Sequence, residues 1–418
     1  MKYRHTAIAA LMLGMTAGPA LAQYSLVTTI QIPASPDNTN PVNAGGRFTS
    51  YDIAFSDPTT RLIYLADRSN ASVDIFSAIT NTYVGRLGGA GGVFTGQTAT
   101  TATSGPDGVV VIPGQQVWAG DGNSTARVFN IPSGTQPAYS PIATGPVSAQ
   151  RVDEMIYDPN SHQILAANNA AAPSPFLSLI NATTGAVTRT ITFNGLNGTP
   201  NATNGIEQPA YDSFTNRFYV SVPQINGSGP GGVAQLDTAG NVTHFFDFAT
   251  LSGGTLSACG PTGLAAGAGG NLIVGCGDGG SSVILHAAAN SIAVINGVGG
   301  EDQVWYDPVR KRYFLSARNN PGGPILGIID AQSETLLQTL ASSSGAHSVT
   351  VDEVSGEVFM AFGGNLGAVT NSVCPDGCMA VFGLTAAVPE PDSYAMMFAG
   401  LGLIGLAASR RKRKPGPA

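Results

Sequence analysis

The chain has 418 residues, 19 Lys and Arg against 26 Asp and Glu, and a formal charge of −7. Only 11% of its residues are charged and 54 are Gly, where ~25% and ~7% are usual, and no segment before the C-terminal tail carries a long helical period. That composition describes an all-β chain with many turns. Its acidic balance argues against nucleic acid and anionic membrane surfaces as partners and favours cations.

In chain order, Lys2 and Arg4 give a basic start, residues 6–17 are apolar, and Ala20-Leu21-Ala22 places small residues where a signal peptidase cuts. Residues 1–22 therefore read as a signal peptide with Gln23 opening the mature chain. No Cys follows the cut, which argues against a lipoprotein. Without residues 1–22 and 392–418, 12 basic and 25 acidic side chains remain, a formal charge of −13. Residues 23–387 are then the folded domain and 388–418 a tail.

The domain is a repeat array. One copy reads Tyr51-Asp52-Ile53-Ala54-Phe55, then Asp57-Pro58, then Leu62-Ile63-Tyr64-Leu65, Val73-Asp74-Ile75-Phe76, a turn at Asn81, and Tyr83-Val84-Gly85-Arg86-Leu87. This is four strands joined by three turns, with β-branched and aromatic residues in the strands and Asp, Pro and Asn in the turns. Second-strand anchors Tyr64, Trp118, Leu165, Tyr219, Ile273, Phe314 and Phe359 recur every 41 to 54 residues. A four-strand unit with that period predicts a β-propeller of seven blades, six or eight staying open because the second and fifth copies are weak. The last copy stops at its third strand, around Cys378 to Leu384, whereas residues 25–32 resemble a fourth strand. The N-terminal strand is thus expected to close the ring, which removes an exposed edge. Asp57, Asp158, Asp307 and Asp352 read as turn residues, Trp118 and Trp305 as blade packing, and Arg68, Arg127 and Arg318 as making rim contacts or salt bridges.

Asp107, Asp153, Glu154, Glu207, Glu301, Asp302 and His347 precede first strands, at one end of the ring. Oxygen ligands from different blades, with His347, could hold Ca²⁺ or another divalent cation, and a metal there could polarise a carbonyl or activate water. The other reading of these acids is that they cap loops or surround a solvated channel. No G-x-S-x-G elbow, P-loop, H-E-x-x-H or C-x-x-C-H motif is present, so no catalytic residue is assigned. Cys259 and Cys276 flank a hairpin-like stretch, and Cys374 and Cys378 bracket a Pro-Asp-Gly turn. Two local bridges are expected, although four cysteines allow three pairings.

The tail reads Val388-Pro389-Glu390-Pro391, an apolar run at 394–408, then Arg410-Arg411-Lys412-Arg413-Lys414. The run approaches the length needed to cross a bilayer, and the basic cluster belongs on the cytoplasmic side. This order resembles the PEP-CTERM signal of Gram-negative bacteria that make extracellular polysaccharide. The resemblance implies recognition at Pro389, Glu390 and Pro391 by an exosortase, a membrane cysteine protease, so that an inner-membrane-anchored precursor becomes a cell-surface or extracellular protein. The alternative is a permanent C-terminal anchor. The repeats, through Asp158-Pro159, Asp307-Pro308 and Asn181 to Gly185, resemble YVTN/NHL-type propellers, a family that includes surface-layer and lactonase-like proteins. In gluconolactonase-like propellers, carboxylates and an Asn at the channel bind a metal, which by repeat position implies Glu154, Glu207 and Glu301 here. The expectation is an exported monomer acting as a binding or scaffold module for polysaccharide, surface protein or a small ligand. A metal-dependent lactonase-like hydrolase is its rival.

Overall fold

The computed structural model describes residues 23–40, 45–256, 258–367 and 371–385. The expected signal peptide, the Pro389-Glu390-Pro391 motif and the apolar run lie outside them. Among the described residues no helix is long and apolar enough to cross a membrane. Ser25–Gly383 forms one compact unit, and the described chain ends, residues 23–24 and 384–385, belong to another. Within the latter, Thr385 Oγ1 donates to the Gln23 carbonyl at 2.8 Å.

The strands form seven four-stranded sheets, each antiparallel and in chain order from first to fourth strand, except the last. The first blade holds Ala54–Asp57, Leu62–Asp67, Ser72–Ser77 and Thr82–Gly88. Blades two to six repeat this plan, with first strands Val109–Ile112, Met155–Asp158, Pro209–Asp212, Pro261–Ala266 and Val304–Asp307. The seventh takes Val349–Val351, Val358–Phe362 and Cys378–Thr385 from the C-terminal end, and its outermost strand is Gln23–Gln31. The ring is therefore closed by the N-terminal strand, as expected.

Local chemistry accounts for the repeat. In five of the seven blades the turn after the first strand is built by an Asp, at positions 57, 158, 212, 307 and 352, whereas the second and fifth blades turn at Pro113-Gly114 and Gly267. Asp57 accepts from Thr59 N at 2.9 Å and Thr60 Oγ1 at 2.7 Å, and Arg61 then adopts φ 57°. Asp212 and Asp307 bond the turn amides in the same way before Asn216 and Lys311, both left-handed. A left-handed non-Gly residue is unfavourable alone, and the carboxylate's bonds to the turn amides offset it. The seven second-strand anchors are all fully or almost fully buried, and the apolar clusters form where neighbouring blades face each other. One cluster joins Phe359, Met379 and Val381 of the seventh blade to Ile63, Leu65 and Phe76 of the first, with Ile30 of the closing strand. At the same seam Arg61 grips Asp352 with two bonds, 3.1 and 2.7 Å. Both disulfides form as expected, Cys259–Cys276 and Cys374–Cys378.

Candidate ligand site in the central channel

The first strands surround the axis, so the residues leading into them reach it. Strand register gives the equivalences. Ala54, Val109, Met155, Pro209, Leu264, Val304 and Val349 pair with matching residues of their second strands. Two residues earlier stand Asp52, Asp107, Asp153, Glu207, Thr262, Asp302 and His347. Every blade thus contributes a polar side chain at one level, and five of the seven are carboxyls. All except Asp107, which is fully buried, line a cavity of about 410 Å³ together with Arg68, Arg151 and Arg318.

Guanidiniums order this ring. Arg68 donates to Asp107 Oδ1 at 2.6 Å, to the Tyr51 carbonyl at 2.7 Å and to Asp52. Arg151 pairs with Asp153 at 2.6 Å and donates to Asn169 Oδ1 at 3.0 Å, while Asn169 donates to Asp153 and to Glu207 Oε2 at 3.4 Å. Arg318 pairs with Asp302 at 2.9 Å. Burial would raise Asp52, but Arg68, His347 and Arg151 hold it well below the usual carboxylate range. The others go the opposite way. Burial lifts Asp107 to about 7 despite Arg68 and Arg151, and Glu207 to about 7 despite Arg151. It lifts Asp153 and Glu154 well above the usual range, with neighbouring carboxylates adding to Glu154's rise. Three guanidiniums face six carboxyls, so the cavity lacks positive charge.

One level deeper stand Ile53, Gly108, Glu154, Gln208, Gly263, Gln303 and Ser348. A Cβ at Gly108 or Gly263 would collide with the carbonyl of Asp153 or Asp302, so glycine lets the blades approach there. The two glutamines bolt blades together. Gln303 Oε1 accepts from Ala54 N at 3.2 Å and Val349 N at 3.0 Å, and its Nε2 donates to the Ala54 carbonyl at 2.7 Å. Gln208 Oε1 accepts from Leu264 N at 2.9 Å and Val304 N at 3.3 Å. Each spans the next blade and the one after it. By the same pattern Glu154 would meet the amide at position 209, but Pro209 has none, and the Leu264 amide is already taken. Glu154 Oε2 is left buried without a hydrogen-bond partner.

The sequence-predicted residues separate accordingly. Glu154, Glu207 and His347 reach the cavity. Glu301 turns away, accepting from Cys276 N at 3.0 Å and from Ser282 Oγ, and burial lifts it to about 8. Asp302 holds the ring position in its place. Asp52 was overlooked because it sits inside an apolar run between Tyr51 and Ile53. Arg68 makes the expected salt bridges, with Asp52 and Asp107, but buried in the ring and not at the rim, and Trp305 lines a cavity where it meets Phe55 of the first blade.

Beyond the propeller, the PEP-CTERM protein-sorting motif matches residues 387–412. The chain carries a PEP-CTERM sorting signal. No curated protein matches the chain. The PEP-CTERM signal implies an exported protein processed by an exosortase, so the acidic cavity works outside the cytoplasm, where both disulfides are stable.

A cation fits the ring on one further observation. Ligand atoms of Asp52, Asp302 and His347 lie within 4.8 Å of one another. His347 Nδ1 lies 2.6 Å from the Gly345 carbonyl, so it donates there, and Nε2 faces the Tyr51 carbonyl at 3.3 Å and Asp52 Oδ1 at 3.6 Å. Nε2 among these oxygens is satisfied by a proton shared with Asp52 or by a metal cation placed between them. Stacking on Tyr51, with centroids 4.4 Å apart, fixes the ring plane.

Proposed function

We propose that this PEP-CTERM propeller is an exported binding module of the YVTN/NHL-like kind, delivered to the cell surface or extracellular matrix. Residues 1–22 serve as its signal peptide, and 394–408 hold the precursor in the inner membrane until exosortase acts at Pro389-Glu390-Pro391. Extracellular polysaccharide and surface proteins are its candidate partners. The observation that carries this reading is the ring at the channel mouth, one polar side chain from each of six blades around one cavity, with the second blade's Asp107 buried behind Arg68. A second trough of about 500 Å³ shares Thr101, Arg151 and Glu207 with that cavity and continues past Asn169, Asn201 and Asn204. An amide-lined trough running out from a charged centre suits an extended polar ligand.

A divalent cation held by Asp52, Asp302 and His347 would supply the missing positive charge and a ligand contact. With imidazole among the donors, Zn²⁺ or Mn²⁺ suits the set better than Ca²⁺. The second reading, a lactonase-like hydrolase, draws on Glu207, whose carboxyl is raised to about 7, in the range of a general acid or base.

The test is binding of the immobilised protein to isolated extracellular polysaccharide and to surface-protein fractions. Wild type is expected to retain a ligand that Arg151→Ala and Glu207→Gln release. Equal retention by wild type and both variants removes the channel mouth from the account. Turnover of lactones by wild type, lost in Glu207→Gln, selects the hydrolase.

A further inference from the structure

Beyond the glutamine layer the channel opens into a second cavity of about 170 Å³, with different walls. Phe55, Ile156, Tyr211, Trp305 and Tyr306 line it, and Glu154 lines both this cup and the acidic cavity. Phe55 of the first blade and Trp305 of the sixth meet edge to face, centroids 4.8 Å apart. They reach across the seventh blade, where the matching first-strand position holds the smaller Thr350. Trp305 Nε1 is buried and has no acceptor.

The polar groups available to a molecule in this cup are few. The amides of Gln208 and Gln303 are committed to backbone groups. Glu154 is not, because Pro209 removed the amide it would have met, and the carboxyls of Asp52, Asp153, Glu207 and Asp302 lie near enough to act on it. An anion is repelled from such a floor. A neutral apolar solute satisfies the walls and leaves the carboxyl unpaired, which is costly in a buried place. A cation with an apolar shell satisfies both, because aromatic faces attract it and its charge favours the ionised carboxyl, against the burial that raises it, and pairs with it.

We infer that this mouth of the channel binds a small alkylated organic ammonium. Its apolar shell lies against Phe55, Tyr211 and Trp305, its charge faces Glu154, and an oxygen acceptor takes the Trp305 indole N–H. The inference does not rest on the metal or binding-module readings of the other mouth, since Glu154 is the one lining residue the two cavities share and the aromatic walls belong to the cup alone.

Trp305 also supplies the signal. The other tryptophan, Trp118, is fully buried in the second blade, so a ligand-dependent change in emission reports on the cup. Full-length protein in maltoside detergent, stripped with a chelator, is titrated with choline and with 3,3-dimethylbutanol, its uncharged isostere. Choline is expected to give a saturable change and to bind about tenfold more tightly than the isostere, as a desolvated cation–π and charge contact implies. Glu154→Gln should reduce that preference to the part the aromatic faces supply. Phe55→Leu, followed by calorimetry, should weaken choline about tenfold. Absence of choline binding to wild type overturns the inference, as does equal binding of choline and isostere, or a preference undiminished in Glu154→Gln.

Discussion

Replacing Gln303 with Leu is expected to destabilise the propeller by about 4 kcal/mol. The side chain is fully buried and ties the sixth blade to the seventh and the first through one amide. The inner edge of a first strand has no neighbouring strand, so its N–H and C=O groups need another partner. Leucine fills a similar volume but leaves the Ala54 N–H, the Ala54 carbonyl and the Val349 N–H unpaired in a place closed to water. Each orphaned group costs ~1–3 kcal/mol, and the losses share one site and do not simply add. Chemical denaturation of wild type and Gln303→Leu measures the difference. Gln163, on a second strand and half-buried, is the control, and its Leu variant should lie within ~1 kcal/mol of wild type. A Gln303→Leu protein as stable as that control would show that the bolt contributes nothing.

The second large effect is a fall in stability as pH rises. Glu207 and Asp107 lose their protons near 7 in the folded chain, and Glu301 near 8, each raised chiefly by burial. In the unfolded chain such carboxyls titrate near 4. Between those limits the folded state binds more protons than the unfolded state, so stability is greatest at the acid end and is lost as pH rises toward 8. One carboxyl raised from about 4.5 to about 7 removes roughly 3 kcal/mol by neutral pH. Asp52, Asp330 and Asp352 are held low and act in the opposite sense, losing their contribution only in stronger acid. The melting temperature of chelator-treated protein should therefore peak near pH 5 and drop by pH 8. A divalent cation that binds the ionised ring should restore it at pH 8 and have little effect at pH 5, where protons compete. A melting temperature independent of pH in chelator would mean that the ring is not short of positive charge.

Much of this arrangement can be read along the chain, because the features that define a blade are local. Strand alternation, the Asp-built turn after five of the seven first strands and the missing fourth strand at the end are short-range signals, and each reappears in the structure. The ring is only half local. Asp107, Asp153, Glu207, Asp302 and His347 stand out as charged residues before apolar runs, but which of Glu301 and Asp302 faces the axis depends on strand register. Counting back two residues from the start of each paired first strand would have selected Asp302 and added Asp52. The glutamine bolts are beyond any local reading, since Gln303 meets Ala54 249 positions away. The isolation of Glu154 likewise follows from a missing amide on the neighbouring blade, at Pro209.

Metal content tests the central claim, that the acidic ring is a cation-dependent ligand site, most directly. Purified protein, stripped with chelator and re-exposed to equal Zn²⁺, Mn²⁺ and Ca²⁺, would be desalted and analysed by mass spectrometry beside His347→Ala and Asp302→Asn. About one divalent ion per wild-type chain, absent from both variants, is the predicted result. A wild-type chain that retains no stoichiometric metal, or variants that retain it equally, would contradict the account.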